Sequence, residues 1–121
     1  MAVRVLIADD HRLFAEALRA ILGNDRRIDV VGLAASGDEA VEKAKELEPD
    51  VILMDISMPG LDGFEATRKI RAAQKDVRVL IVTGSDARQD VDAARTAGAA
   101  GYVTKDRIAA ELIGAIIDTA A

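Results

Sequence analysis

The stretch VILMDISMPGLDG, Val51 to Gly63, opens as an apolar strand, sets an acid at its end in Asp55, and breaks at Pro59 and Gly60. A carboxylate at the tip of a buried strand is costly unless something pairs with it. Whether Asp55 merely starts a loop or belongs to a site depends on how the other strands end.

Working outward from Val51, short apolar runs alternate with segments of helical period. VRVLIA (3–8), IDVVGLA (28–34), VILM (51–54), VRVLIVT (77–83) and GYVT (101–104) read as strands, rich in β-branched residues. Leu13, Phe14, Ala17, Leu18, Ile21 and Leu22 fall on one face of a first helix that stops near Gly23 and Asn24. Ser36 and Glu39 form a capping box before Ala40, Val41, Ala44 and Leu47, with Pro49 just past that helix. Phe64, Thr67 and Ile70 mark a third helix, with Asp62 as a turn or cap residue before Gly63. Val91, Ala94 and Ala97 mark a fourth, ended by Gly98. Ile108, Leu112, Ile113, Ile116 and Ile117 mark a fifth, capped by Asp106.

Strand starts recur about every 25 residues with a helix in each gap, which predicts βαβ units and a parallel sheet. The first, third and fourth strands are almost wholly apolar, as expected where helices cover both faces. The expected class is therefore α/β: a doubly wound, flavodoxin-like sheet of five strands in the order 2-1-3-4-5, with five helices. In that order the first and third strands are neighbours at the topological switch point.

The composition narrows the function classes. The chain has 121 residues, half of them apolar, which suits one domain over 1–121. No run approaches the roughly 18 apolar residues of a membrane span, and no secretory leader opens the chain. Zero cysteines exclude a disulfide scaffold or thiolate metal site and fit a cytoplasmic setting. A net charge of -5 argues against this segment wrapping nucleic acid, and one Tyr, two Phe and no Trp leave no stacking platform.

Ligands of open parallel sheets bind beyond the carboxyl ends of the strands, at the switch point. The first strand ends in Asp9-Asp10 and the third in Asp55, on neighbouring strands about 4.8 Å apart. The fourth ends at Thr83, and the fifth leads to Lys105. Taken singly, each acid is an ordinary loop start, or in the case of Asp9 or Asp10 a helix cap. Taken together, three carboxylates at one edge repel each other and call for compensation. A divalent cation supplies it economically, and all-oxygen ligands select Mg²⁺ or Mn²⁺ over zinc. Lys105 adds the remaining positive charge.

Metal, carboxylate, lysine and hydroxyl together suit phosphoryl transfer. No serine or cysteine is paired with a base, and His11, at the start of the first helix, is read as facing solvent. The nucleophile is then a carboxylate forming an acyl phosphate. Asp55 is the candidate, because Asp9 and Asp10 can hold the metal from the adjacent strand.

LIADDH, VILMDISMPGLDG, VLIVTG and GAAGYVTKD together, in order and spacing, resemble the receiver domain of two-component response regulators across nearly the whole chain. The ADDH and GYVTKD forms are more similar to the LuxR-type (NarL/FixJ-like) subfamily, whose receivers precede a helix-turn-helix. The resemblance implies that Asp55 accepts a phosphoryl group from a sensor histidine kinase. It also implies that Asp9, Asp10, Asp55 and the backbone carbonyl of Ser57 hold Mg²⁺. Thr83 and Lys105 then contact phosphoryl oxygens, and Tyr102 is the aromatic switch. The implied output is transcriptional: the parent protein continues past Ala121 into a DNA-binding helix-turn-helix of some 60–90 residues, typical of small domains, and dimerises on phosphorylation. A stand-alone receiver is the alternative.

Two departures stand out. Many receivers carry proline after the lysine, often with a cis peptide, where this chain has Asp106 and a trans bond is expected. Gly84 follows Thr83 where a small side chain is more usual, which predicts a looser loop. A Mg²⁺-dependent phosphohydrolase would share the acids but needs a substrate pocket and a second acid-base group, neither of which is evident. A flavodoxin-like mononucleotide binder would need a Gly- or Ser/Thr-rich loop after the first strand, and that loop is missing.

Overall fold

The structure is a computed structural model and describes residues 2–121. Its elements run β1 (Val3–Ala8), α1 (Arg12–Gly23), β2 (Ile28–Ala34), α2 (Gly37–Leu47), β3 (Val51–Met54), α3 (Gly63–Ala73), β4 (Arg78–Thr83), α4 (Arg88–Ala97) and β5 (Gly101–Thr104). A 3₁₀ turn (Lys105–Arg107) and a π-helical turn (Ile108–Leu112) then lead into α5 (Ile113–Ala120). The five strands are parallel in the order 2-1-3-4-5, as expected.

The apolar strands stand where their composition requires. β3 is buried throughout, and so are Val5–Ala8 of β1 and Val79–Thr83 of β4, because helices cover both faces of the sheet. One face packs Val5, Ile7, Leu53 and Leu80 against Leu18 and Leu22 of α1 and Ile116 of α5. The other packs Leu6, Ile52, Met54 and Ile81 against Ala40 and Ala44 of α2, Ala66 and Ile70 of α3, and Ala94 of α4. Small residues on α2 and α4 let those helices lie close to the large aliphatic residues of the sheet.

The helix ends follow local chemistry. The Ser36 hydroxyl accepts the Glu39 N–H at 3.1 Å, and the Glu39 carboxylate accepts from the N–H of Ala35, one residue before the cap. Asp62 caps α3 by accepting the Glu65 N–H at 2.9 Å. Gly98 closes α4 in the left-handed region at φ 100°.

Two expectations are corrected. On α1 the buried residues are Ala15, Leu18 and Leu22, with Phe14 half-buried, while Leu13 is 88% and Ile21 52% exposed, and Ala17 is exposed as well. The row Leu13–Ala17–Ile21 has the same i, i+4 spacing as Phe14–Leu18–Leu22 but is turned by one residue, about 100° around the axis. A single sheet face accepts only one of them. Asp106 does not cap the fifth helix: it lies inside the 3₁₀ turn, and no side chain caps the π turn or α5. The 3₁₀ turn at Lys105–Arg107 and the π turn at Ile108–Leu112 separate Asp106 from the start of α5. The Lys105–Asp106 peptide is trans, as expected.

Candidate phosphoacceptor site

Register places the acids. Ala8 of β1 lies opposite Met54 of β3, so Asp9 and Asp55 leave the sheet side by side. The Asp55 N–H still donates to the Ala8 carbonyl, and the Asp9 N–H to the Ala34 carbonyl, both at 2.9 Å. Each carboxylate is therefore held by sheet-type bonding of its own backbone. The Ile56 N–H donates to Asp55 Oδ1 at 2.8 Å, and the Gly63 N–H returns to the Ile56 carbonyl at 2.9 Å, closing the loop after β3. A side chain at Gly63 would collide with the Asp55 carbonyl, so glycine is what allows α3 to start this close to the acid.

Asp9 and Asp55 are buried, at 5% and 4% exposure, whereas Asp10 is open to solvent. Lys105 Nζ lies 3.0 Å from Asp9 Oδ2 and 3.7 Å from Asp55 Oδ2. The same ammonium sits 4.1 Å from the centroid of the Phe14 ring, a cation–π contact that fixes it over the pocket. Thr83, at the end of β4, is also buried. Burial first and the neighbouring Asp9 second push the Asp55 carboxyl above its ordinary range. Lys105, the Thr83 hydroxyl and the Ile56 N–H oppose that rise without cancelling it.

The structure thus brings Asp9, Asp10, Asp55, Thr83 and Lys105 to one edge. Ser57 lies two residues past Asp55 in the exposed part of the following loop. Tyr102, on β5, donates its hydroxyl to the Ser85 carbonyl at 2.7 Å.

Three participants escaped the sequence reading. His11 is two-thirds exposed, as expected, yet its Nδ1 lies 3.1 Å from Asp9, 3.4 Å from Asp10 and 3.9 Å from Asp55. Its own N–H donates to Asp9 Oδ1 at 2.8 Å, a turn that brings the ring back over the acids. The pattern Asp-Asp-His carried that signal, since an Asp accepts readily from the N–H two residues on. Phe14, read only as core, supports Lys105. Ser85 ties down the loop after β4: its hydroxyl donates to Asp90 and accepts the Ala87 N–H at 3.2 Å. The looseness expected at Gly84 is limited by these bonds.

Asp9, Asp10, His11 and Asp55 each offer a ligand atom, and these atoms all lie within 4.8 Å of one another. Three carboxylates face one ammonium, and Asp55, one of the two that are buried, is already pushed toward its neutral form. That excess of negative oxygen suits a hard divalent cation.

Comparison with known proteins identifies relatives of the whole domain. The response regulator receiver domain family matches residues 5–117. Response regulator GacA of Pseudomonas viridiflava is 44% identical over 114 residues, covering 94% of this chain and 53% of that protein. A LuxR-family two-component response regulator from Aurantimonas sp. SI85-9A1 superimposes with a TM-score of 0.94 at 37% identity, covering 99% of this chain and 86% of that one. A CheX–CheY–BeF₃–Mg²⁺ complex from Borrelia burgdorferi gives a TM-score of 0.90 at 26% identity, covering 98% and 90%. The chain spans about half the length of the curated relatives it matches.

Proposed function

This chain belongs to the response regulator receiver domain family, with LuxR-type relatives, and we propose that within it Asp55 is the phosphoacceptor. Receivers of this family are phosphoacceptor switches that work with sensor histidine kinases. The observation that carries the assignment is the burial of Asp55 beside Asp9, with Lys105 3.7 Å from its Oδ2.

Asp9, Asp10 and Asp55, with the backbone carbonyl of Ser57, would hold Mg²⁺, and Mn²⁺ would serve as well. When bound, the cation supplies positive charge to phosphoryl oxygens. The chain's own groups do the rest. An Asp55 carboxylate oxygen attacks the phosphorus of a kinase phosphohistidine. The new O–P bond forms as the P–N bond breaks, and its electron pair returns to the imidazole nitrogen. Lys105, held in place by Asp9 and Phe14, receives one phosphoryl oxygen, and the Thr83 hydroxyl donates to another. Drawing Thr83 inward makes room behind it for Tyr102, whose hydroxyl anchors the loop through Ser85.

The output is transcriptional in this reading. The parent protein carries a helix-turn-helix beyond this receiver, and phosphorylation favours a homodimer that pairs two recognition helices. The LuxR-family relative and the half-length match to GacA support it. Among the described residues no helix is long and apolar enough to cross a membrane.

Incubation with acetyl phosphate and Mg²⁺ tests the assignment. The chain should gain one base-labile phosphate, and Asp55→Asn should gain none. Equal labelling of that variant would move the acceptor elsewhere.

A further inference from the structure

His11 enters the pocket with a donor that a magnesium site has no use for. Mg²⁺ takes oxygen ligands and keeps its waters, whereas borderline transition cations bind imidazole well. We infer that His11 turns the acidic pocket into a mixed nitrogen–oxygen site that takes Zn²⁺ or Co²⁺ in preference to Mg²⁺, by a margin the three carboxylates alone would not give. This rests on the reading of Asp9, Asp10 and Asp55 as metal ligands.

The spacing of these atoms is close to what a shared ion requires. Ligand atoms about 2.1 Å from a metal lie about 3.0–3.4 Å from each other in octahedral or tetrahedral arrangements. His11 Nδ1 is 3.1 Å from an Asp9 oxygen and 3.4 Å from an Asp10 oxygen, with an Asp55 oxygen slightly farther at 3.9 Å. The 2.8 Å bond from the His11 N–H to Asp9 Oδ1 sets the backbone from which the ring reaches the acids, and the Nδ1 contact to the same oxygen at 3.1 Å turns the ring toward them. Ligation by Nδ1 requires its proton to sit on Nε2. Among the described residues no protein group engages Nε2, and the ring is 66% exposed, so that tautomer breaks no protein contact beyond the one the metal replaces.

The competing account is purely electrostatic: the imidazole sits over the acids as a cation and swings away when a metal arrives. The two accounts differ in where the ring ends up and in which metals notice it. His11 is the sole histidine of the chain, so its ring nitrogens give unambiguous signals in ¹⁵N-histidine-labelled protein.

The experiment is a titration of the full chain with Zn²⁺ and separately with Mg²⁺. It is followed by the His11 ring nitrogens, by the amides of residues 9–11 and 55–57, and by calorimetry, and is repeated on His11→Ala and His11→Asn. Zinc should shift the Nδ1 resonance at one equivalent, with Nε2 protonated. Both variants should lower the Zn²⁺ to Mg²⁺ affinity ratio roughly tenfold or more, while Mg²⁺ affinity moves much less. An Nδ1 signal that does not move with zinc bound, or a ratio unaltered in both variants, overturns the inference. Zinc ligation by Nδ1 in a chain that shows no Mg²⁺ binding overturns the magnesium reading and leaves this inference standing.

Discussion

The hydroxyl of Tyr102 donates to the backbone carbonyl of Ser85 at 2.7 Å, joining β5 to the loop that follows the buried Thr83. Ser85 in turn donates its hydroxyl to Asp90 in the first turn of α4. A change at Thr83 therefore has a physical route to α4 through two bonds that converge on one residue. Burial, more than its neighbours, raises the Tyr102 phenol above its ordinary range, so it stays a donor throughout the physiological pH range.

Removing that donor should loosen the loop without touching the acceptor. A single net hydrogen bond contributes about 1 kcal/mol, a factor of about 5 in a local opening equilibrium. Tyr102→Phe should therefore accept phosphate on Asp55 as before, while amides of residues 84–90 exchange several-fold faster. Exchange at the parent rate would show that the bond does not hold the loop.

Asp55 sets a second, pH-dependent expectation. Its folded pKa is raised above the ordinary 3.8 by burial and by Asp9, so the fold favours the protonated acid. The resulting contribution to stability is fully present below 3.8 and is lost as pH rises through the raised folded value. At neutral pH, without divalent cation, the ionised Asp55 therefore weakens the fold. Asp55→Asn should raise Tm at pH 7 by about 2–6 °C. The gap should close in acid and narrow when millimolar Mg²⁺ is added to the parent. Thermal melts of both proteins across pH 3.5–7.5 would check this, and a gap that widens in acid would reverse the sign.

Much of this could be read from the chain because the sheet writes a simple pattern. Strands buried on both faces have to be continuously apolar, so Val51–Met54 and Val79–Val82 declare themselves, and Asp55 and Thr83 at their ends lie at a shared edge once strand order is known. What period alone cannot give is direction. Leu13 and Leu18 both obey helical spacing, and only the sheet decides which one is buried. His11 precedes α1, where no periodicity constrains its ring, and its place over the acids comes from a turn bond of its backbone to Asp9 together with the contact of Nδ1 to the same carboxylate. The fifth helix was legible in its isoleucines but not in its start, because the 3₁₀ and π turns precede it without disturbing the apolar sequence of Ile108 and Leu112.

That ambiguity on α1 has a measurable consequence. Leu18 is 2% exposed among β1 and β3 residues, and Leu18→Ala should cost about 2–5 kcal/mol through lost burial and the cavity left behind. Leu13, at 88% exposure, has no such packing, and Leu13→Ser should stay within about 0.5 kcal/mol of the parent. Urea titrations of the two variants give both numbers. Equal losses would mean that α1 is turned the other way on the sheet.

The last expectation concerns the division of labour between this domain and its proposed output. Non-specific DNA affinity comes mainly from Lys and Arg neutralising phosphates, and this chain carries 21 acids against 16 basic residues, a net charge of -5. Its five helices are spent covering the two faces of the sheet, with Leu22, Ala44, Ile70, Ala94 and Ile116 each buried in one of the two cores. None is left as a recognition helix, which must lie in the major groove with its neighbour across the backbone. The 121-residue chain should therefore not retard DNA in a gel even at low salt, with or without beryllofluoride and Mg²⁺. A longer form carrying the proposed helix-turn-helix should bind, with a negative slope of log affinity against log salt. Beryllofluoride should tighten that binding by favouring the dimer that paired half-sites require. Salt-dependent retardation by the short chain would place a DNA-contacting surface on the receiver itself. A long form indifferent to beryllofluoride would uncouple the acceptor at Asp55 from DNA binding.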